Sequence, residues 1–185
     1  MSQRIRVAMS SSQGDLLRGI VEADETYIGG KPRKGKNKEN KRGRETKKAC
    51  VLGAIEHNGK VVAQVASEPD SLRGVGILRF LKGNVDTKET TLMTDEYRPY
   101  LAVRYAGLAH KVVHHVKQFV DGIVHTTNTL EGFWTLLKRA HYGTHHHYNK
   151  SWIPFYLSEA CWKYNQRKNN DAFWNIPIRL FRLKD

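Results

Sequence analysis

Residues 19–27, GIVEADETY, have the clearest strand pattern in the first part of this chain. Val21 and Ala23 alternate with Glu22 and Asp24, which is the period of two expected for a β-strand. The acids therefore share one face of the predicted strand, Gly19 to Tyr27, and the apolar residues take the other. We expect Asp24 to point away from the core. Glu22 and Glu25 are expected to be solvated acids, with a supporting role beside Asp24 as the alternative.

Two more carboxylates stand at informative places further along the chain. Asp95, in TTLMTDEYRPY, follows the predicted strand 90–94, and Glu131 lies in HTTNTLEGFWTLLKR. An acid at the carboxyl end of a buried strand lies in the crevice where open α/β sheets bind ligands. Carboxylates that converge from distant segments provide the hard oxygen ligands preferred by Mg²⁺ or Mn²⁺. Asp24, Asp95 and Glu131 are therefore the candidate metal ligands.

The segment that carries Glu131 is predicted to be a helix from Asn128 or Thr129 to about Ala140. Both residue types are good N-caps, and the apolar spacing is helical. The expected buried face comprises Leu130, Phe133, Trp134 and Leu137. Asn128, Glu131 and Lys138 stand at offsets of three and seven, so they project from one side of this helix.

The remaining pattern completes an α/β element order. Strands are predicted at 49–56 and 60–67 around an Asn58-Gly59 turn, and a helix is predicted from Asp70 or Ser71 to Gly83. Further elements are a strand at 90–94, a short helix at 99–105, a strand at 109–113, and the helices at 128–140 and 150–167. The order βββαβαβα predicts a ribonuclease-H-like mixed sheet with helices packed against it.

The charge of the chain indicates a polyanionic partner. There are 31 Lys and Arg against 18 Asp and Glu, giving a formal net charge of +13 and a pI of about 9.8. Nucleic acid is the default partner for such a surface. No apolar run reaches the roughly 18 residues of a spanning helix, and no signal peptide is present, so we expect a cytoplasmic protein.

A basic loop at residues 29–48 carries the densest positive charge. It contains glycine and proline but no large apolar residue, and its charge suits contact with DNA phosphates. The candidate DNA-binding residues in this loop are Lys31, Arg33, Lys34, Lys36, Lys41, Arg42 and Arg44. Lys138 and Arg139 are candidates outside it, and His125 either contacts DNA or a carboxylate or is a hydrogen-bonding residue at the entry to a helix.

The length predicts one main domain, residues 19–170, followed by a tail at 171–185. Residues 1–18 include QRIRVAM, which is typical of the last turns of a basic amphipathic helix and is interpreted as the remnant of a preceding helix. Cys50 and Cys161 are expected to be core residues, since two cysteines so far apart in sequence predict neither a disulfide framework nor a cysteine zinc site.

Four motifs carry a resemblance to a known family. They are VEADETYIGGK, TDEYRPY, HTTNTLEGFWTLLKRAHYGTHHH and KYNQR, and the resemblance they carry covers about residues 5–170. The chain resembles the catalytic domain of bacterial insertion-sequence transposases of the DDE superfamily. The branch it resembles normally carries an N-terminal zinc-ribbon and helical DNA-binding region, which suggests a truncated copy here.

The resemblance implies DNA transposition. Such an enzyme binds transposon ends, hydrolyses a phosphodiester to free a 3′-hydroxyl, and uses that hydroxyl to attack target DNA. It implies two Mg²⁺ or Mn²⁺ ions on Asp24, Asp95 and a third ligand, with Lys138 at a phosphate. The third ligand is Glu131 or Asn128; charge and the offset to Lys138 favour Glu131. It also implies an oligomer assembled on paired DNA ends.

Two other classes of function remain open from the sequence. A non-catalytic DNA-binding remnant would repress the intact transposase and would tolerate loss of the acids. A ribonuclease-H-like nuclease or junction resolvase would need the acids but would never join DNA ends.

Overall fold

The computed structural model describes residues 3–10, 15–29, 48–67, 71–113, 128–145 and 149–172. The predicted DNA contacts in the basic loop and at His125 lie outside these residues. The helices are α1 (Gln3–Ser10), α2 (Gly74–Asn84), α3 (Asn128–Arg139) and α4 (Ile153–Asn165). The strands are β1 (Leu17–Ile28), β2 (Ala49–Glu56), β3 (Val61–Val65), β4 (Val85–Thr94) and β5 (Ala109–Val112).

The five strands form one mixed sheet in the order β3-β2-β1-β4-β5. The pairings β1 with β2 and β2 with β3 are antiparallel, whereas β1 with β4 and β4 with β5 are parallel. The predicted α/β class with a mixed, ribonuclease-H-like sheet is confirmed. Because β1 is the central strand, Asp24 lies in the middle of the sheet.

Each face of the sheet packs against its own helical layer. Val21 and Ala23 of β1 belong to a core with α2 and the 3₁₀ helix Arg98–Ala106. On the opposite face, α3 and α4 pack over β2 and β3. The expected face of α3 is confirmed, since Leu130, Phe133, Trp134 and Leu137 are all buried.

Among the element boundaries that differ from the sequence predictions, the starts of β4 and α2 are the most informative. Strand β4 begins at Val85 rather than Thr90, because its polar first half pairs with β1 across a register shift between Leu17 and Gly19. Helix α2 begins at Gly74 after Arg73, which makes no side-chain cap. Ser71 is therefore not its N-cap, and Asp70 lies outside the described residues. Residue type alone does not indicate at which residue the chain leaves the preceding turn and the helix begins.

Helix α1 is attached to the domain through α4. The guanidinium of Arg6 donates to the carboxylate of Glu159 at 2.8 Å, and both side chains are buried. Arg6 also lies over the ring of Tyr156, with 4.0 Å between its Cζ and the ring centroid. The interpretation of residues 1–18 as the remnant of a longer helix stays a prediction.

The last turn of α4 contacts the first residue of β3, which is one of the two edge strands of the sheet. The Asn165 side chain accepts from the Val61 backbone N–H at 2.7 Å and donates to the Val61 carbonyl at 2.9 Å. This pair occupies edge-strand groups that would otherwise be open to another chain. Within the described part of the chain, no helix is both long and apolar enough to cross a membrane.

Candidate active site

Asp24 lies on the face of β1 that is covered by α3, and its carboxyl group is partly buried. Burial raises the pKa of Asp24 to about 6, and the negative charges of Glu25 and Asp95 raise it further. Hydrogen bonds from the Glu25 backbone and the Trp134 indole oppose this rise in pKa. A carboxyl group with this pKa carries its charge at neutral pH only at a cost in free energy, which a cation would offset.

Asp95 comes directly after β4 on the neighbouring parallel strand. The register pairs Glu22 with Met93, so Asp24 and Asp95 each lie two residues beyond a paired position, and the charge of Asp95 is near enough to raise the pKa of Asp24. The Tyr97 backbone N–H donates to Oδ1 of Asp95 at 3.0 Å, which fixes the carboxyl group in a short turn. The structure thus brings together two of the three predicted metal ligands.

The surroundings of Tyr100 also indicate that acids converge here. Tyr100 is buried under the sheet, and burial raises the pKa of its hydroxyl well above the usual range. The charges of Glu25, Asp24 and Asp95 raise that pKa further. Asp95 also borders a cavity of about 250 Å³. This cavity is lined by Asp95, Glu96, Tyr97, Tyr100, Leu101, His110 and Val112.

Glu131 lies in the first turn of α3 with an exposed side chain. Among the residues that the structure describes, no three His, Cys, Asp or Glu side chains are grouped so as to hold a metal ion. The convergence of Glu131 with Asp24 and Asp95 therefore stays a prediction. Carboxylates repel one another at short range, so a third acid has no reason to approach without a cation. Asn128 begins α3, but the position of its side chain is not described.

The donor set fits a divalent cation. Asp24 and Asp95 offer carboxylate oxygens at the centre of the sheet, and the pKa of Asp24 is raised mainly by burial, with a smaller contribution from the charge of Asp95. Hard oxygen donors of this kind suit Mg²⁺ or Mn²⁺. The residues present are therefore compatible with the metal that the sequence predicts.

Sequence reasoning did not foresee the role of Glu22. We expected it to be solvated, and this was wrong, since Glu22 is fully buried beneath the start of α3. Its Oε2 accepts from the Leu130 backbone N–H at 2.8 Å, and its Oε1 lies 2.5 Å from Nε2 of His57. The first N–H groups of a helix lack intrahelical partners, and Glu22 provides an acceptor from another element.

Trp134 was expected in the core, where it is found, but it also contacts the candidate site. Its indole Nε1–H donates to Oδ2 of Asp24 at 3.1 Å. Its place as the buried residue one turn after Glu131 was the only signal available from the sequence. Lys138 and Arg139 are exposed in the last turn of α3, where they are available to a phosphate backbone.

The mixed sheet, with helices on both faces and two aspartates near its centre, defines an α/β domain. Residues 16–165 match the family described as the ISXO2-like transposase domain. The chain belongs to this family and is a transposase catalytic domain of the DDE superfamily. Among curated proteins, none matches the sequence.

Several solved structures are similar to this chain at low sequence identity. The catalytic core domain of BIV integrase is 15% identical, with a TM-score of 0.48, and the alignment covers 90% of this chain and 98% of that one. A chain of the Mos1 strand transfer complex is 15% identical, with a TM-score of 0.40, and the alignment covers 97% of this chain and 58% of that one. A chain of a pre-cleavage Mos1 transpososome is 12% identical, with a TM-score of 0.42 and coverage of 98% and 62%.

Proposed function

We propose that this domain cuts and joins DNA strands by metal-dependent transesterification at the site of Asp24 and Asp95. The observation that supports this most directly is the placement of Asp24 on β1 and of Asp95 directly after the parallel neighbouring strand β4, near enough for the charge of Asp95 to raise the pKa of Asp24. Such a pair of carboxylates is costly in a metal-free protein, and a bound cation would offset that cost. Membership of the transposase family supports strand transfer as the reaction.

Asp24 and Asp95 would hold Mg²⁺ or Mn²⁺, with Glu131 added from α3. When two ions are bound, they stabilise the attacking and leaving oxygens of the phosphodiester displacement. Asp24 must lose its proton before it ligates a cation, so cation binding at pH 6 releases a proton. Lys138, two turns after Glu131, contacts the phosphate, and Arg139 extends the basic end of α3.

DNA is the proposed substrate and partner. The net charge of +13 supports binding to the phosphate backbone, which positions the DNA without reading its sequence. We propose transposon ends and target DNA as the two substrates, with two or more copies of the protein assembled on paired ends.

A joining assay tests this function. Purified protein is incubated with Mg²⁺ or Mn²⁺, a labelled DNA end carrying a 3′-hydroxyl, and supercoiled plasmid. Wild type should nick the plasmid and join the labelled end, whereas Asp24→Asn and Asp95→Asn should do neither. Glu89→Gln is the matched control. Glu89 is an exposed acid on β4, the strand that Asp95 directly follows, and it pairs with Arg18 at 3.5 Å.

The same assay identifies the third ligand. Loss of joining in Glu131→Gln with joining kept in Asn128→Ala assigns that role to Glu131. The reverse pattern assigns it to Asn128.

Three results would contradict the proposal. Joining that survives Asp95→Asn would remove the site from the chemistry. Metal-dependent cleavage without any joining would favour a nuclease. DNA binding without metal-dependent activity in any variant would favour a non-catalytic repressor.

A further inference from the structure

The indole of Trp134 is wedged between the candidate metal ligand and the neighbouring strand. Trp134 is 4% exposed, and its N–H donates to Oδ2 of Asp24 at 3.1 Å. An indole N–H is a donor only, so it restrains one carboxylate oxygen and cannot itself bind a cation. The hydrogen bond therefore restrains the orientation of the carboxylate, whose oxygens still have acceptor sites for a cation.

The strand beside Asp24 has a glycine at the position where the ring lies. Gly53 of β2 is the register partner of Asp24. A Cβ built on Gly53 would lie 2.4 Å from Cη2 and 2.6 Å from Cζ2 of Trp134, distances that real Cβ contacts do not show. The absence of a side chain at Gly53 is therefore what allows the ring to reach across the sheet to Asp24.

A second contact fixes the same helix one turn earlier. Glu22 of β1 accepts from the Leu130 backbone N–H at 2.8 Å. Glu131 lies between Leu130 and Trp134, so the helix is anchored to β1 on both sides of the proposed third ligand. Two anchors on a rigid strand define both the height and the rotation of the first turn of α3 above the sheet.

We infer that Trp134 is a positioning residue of the metal site, seated on Gly53, which orients the Asp24 carboxylate and holds α3 at the height Glu131 needs. This inference rests on the proposed metal-dependent function. Residues that hydrogen-bond to metal ligands commonly change metal affinity or activity by about 10–100-fold when they are replaced.

Trp134→Phe isolates the hydrogen bond, because it keeps an aromatic ring in the core and removes the donor. We expect Mn²⁺ affinity, measured by titration calorimetry on the full chain, to fall by about 10-fold. The matched control is Trp162→Phe, since Trp162 is also buried in the described part of the chain, on α4. Its Mn²⁺ affinity should equal that of wild type, although both variants lose some thermal stability.

Gly53→Ala tests the seat of the ring. The added methyl must displace Trp134 from Asp24, so Mn²⁺ affinity should fall as it does in Trp134→Phe. Adding Gly53→Ala to Trp134→Phe should cost little further affinity, because the six-membered ring of phenylalanine lacks the outer atoms that meet the methyl. Gly83→Ala is the control, since a Cβ at Gly83 meets nothing within 4 Å.

The outcomes separate this inference from the proposed function. Equal Mn²⁺ affinity in wild type, Trp134→Phe and Gly53→Ala overturns the inference, and joining by wild type would then leave the function intact. Absence of Mn²⁺ binding in wild type also overturns it. Weaker Mn²⁺ binding in Trp134→Phe, in a protein that never joins DNA, would support the positioning role and contradict the transposase reaction.

Discussion

At the scale of single residues, the site depends on carboxylates placed where their charge is costly. Asp24 is partly buried, next to Glu25 and Asp95, and its pKa is raised from 3.8 to about 6. Because this pKa is higher in the folded state than in the unfolded state, the folded protein binds the proton of Asp24 more tightly. Asp24 therefore favours folding most below about pH 4. That contribution is lost as pH rises from about 4 to 6, and above pH 6 the buried charge opposes folding.

Asp24→Asn should therefore stabilise the metal-free protein at pH 7.5. The expected gain in the free energy of unfolding is on the order of 1–3 kcal/mol, because one unit of pKa shift corresponds to about 1.4 kcal/mol. The gain should shrink towards zero near pH 4. Urea unfolding in EDTA at the two pH values measures both effects.

Magnesium provides the internal control for this prediction. Addition of Mg²⁺ should raise the stability of wild type and leave Asp24→Asn unchanged, since a ligand that binds only the folded state stabilises it. Asp86→Asn is the matched surface variant, because Asp86 pairs with the exposed Arg18 at 3.4 Å. A gain in Asp24→Asn that is equally large at pH 4 would contradict the pKa argument.

At the scale of elements, the sequence predicts the bounds and the apolar face of α3 but not its attachment to the sheet. Its bounds and its apolar face follow from helical spacing, and Leu130, Phe133 and Leu137 are buried as expected. Its attachment to β1 could not be predicted, because alternation gives the face of Glu22 but not what covers that face. The contact of the Trp134 ring with Gly53 could not be predicted either. It depends on the pairing of β1 with β2, and the long basic loop connects these two strands.

Glu22→Ala should destabilise the protein by about 2–4 kcal/mol. The substitution leaves the buried Leu130 N–H and the His57 ring without their acceptor and creates a cavity. Glu22→Gln should cost less, because an amide oxygen can still accept from Leu130. Urea unfolding at neutral pH measures both variants.

Glu89→Ala is the control for Glu22→Ala. Glu89 is 63% exposed, and its ion pair with Arg18 is of the surface kind that contributes little. Equal stability of Glu22→Ala and Glu89→Ala would show that Glu22 does not anchor α3.

At the scale of the whole molecule, the sheet is predicted from the order of the elements, whereas the positive charge is predicted from composition. The strand order follows from element order and the preference for short connections, so the mixed sheet could be predicted. The positive charge is a property of composition, and its densest run, residues 31–44, lies outside the described residues. How that run meets DNA therefore rests on the sequence alone.

The basic loop should contribute strongly to the salt dependence of DNA binding. Replacing Arg33 and Lys34 by serine should reduce the slope of log affinity against log salt by about 0.9 for each phosphate contact removed. The matched pair is Arg79→Ser with Lys82→Ser on α2, which packs on the sheet face opposite α3. Fluorescence anisotropy with plain duplex DNA measures both pairs, and equal slopes for the two double variants would contradict a special role of the loop.

We expect Asp24 and Asp95 together to bind divalent metal in this transposase domain. The most direct test is the amount of Mn²⁺ bound by the protein and by its complex with DNA, measured from the free-ion signal in electron paramagnetic resonance. Wild type and Glu89→Gln should bind two ions per domain in the DNA complex, whereas Asp24→Asn and Asp95→Asn should lose bound Mn²⁺. Wild-type stoichiometry and affinity in both of the aspartate variants would contradict this expectation.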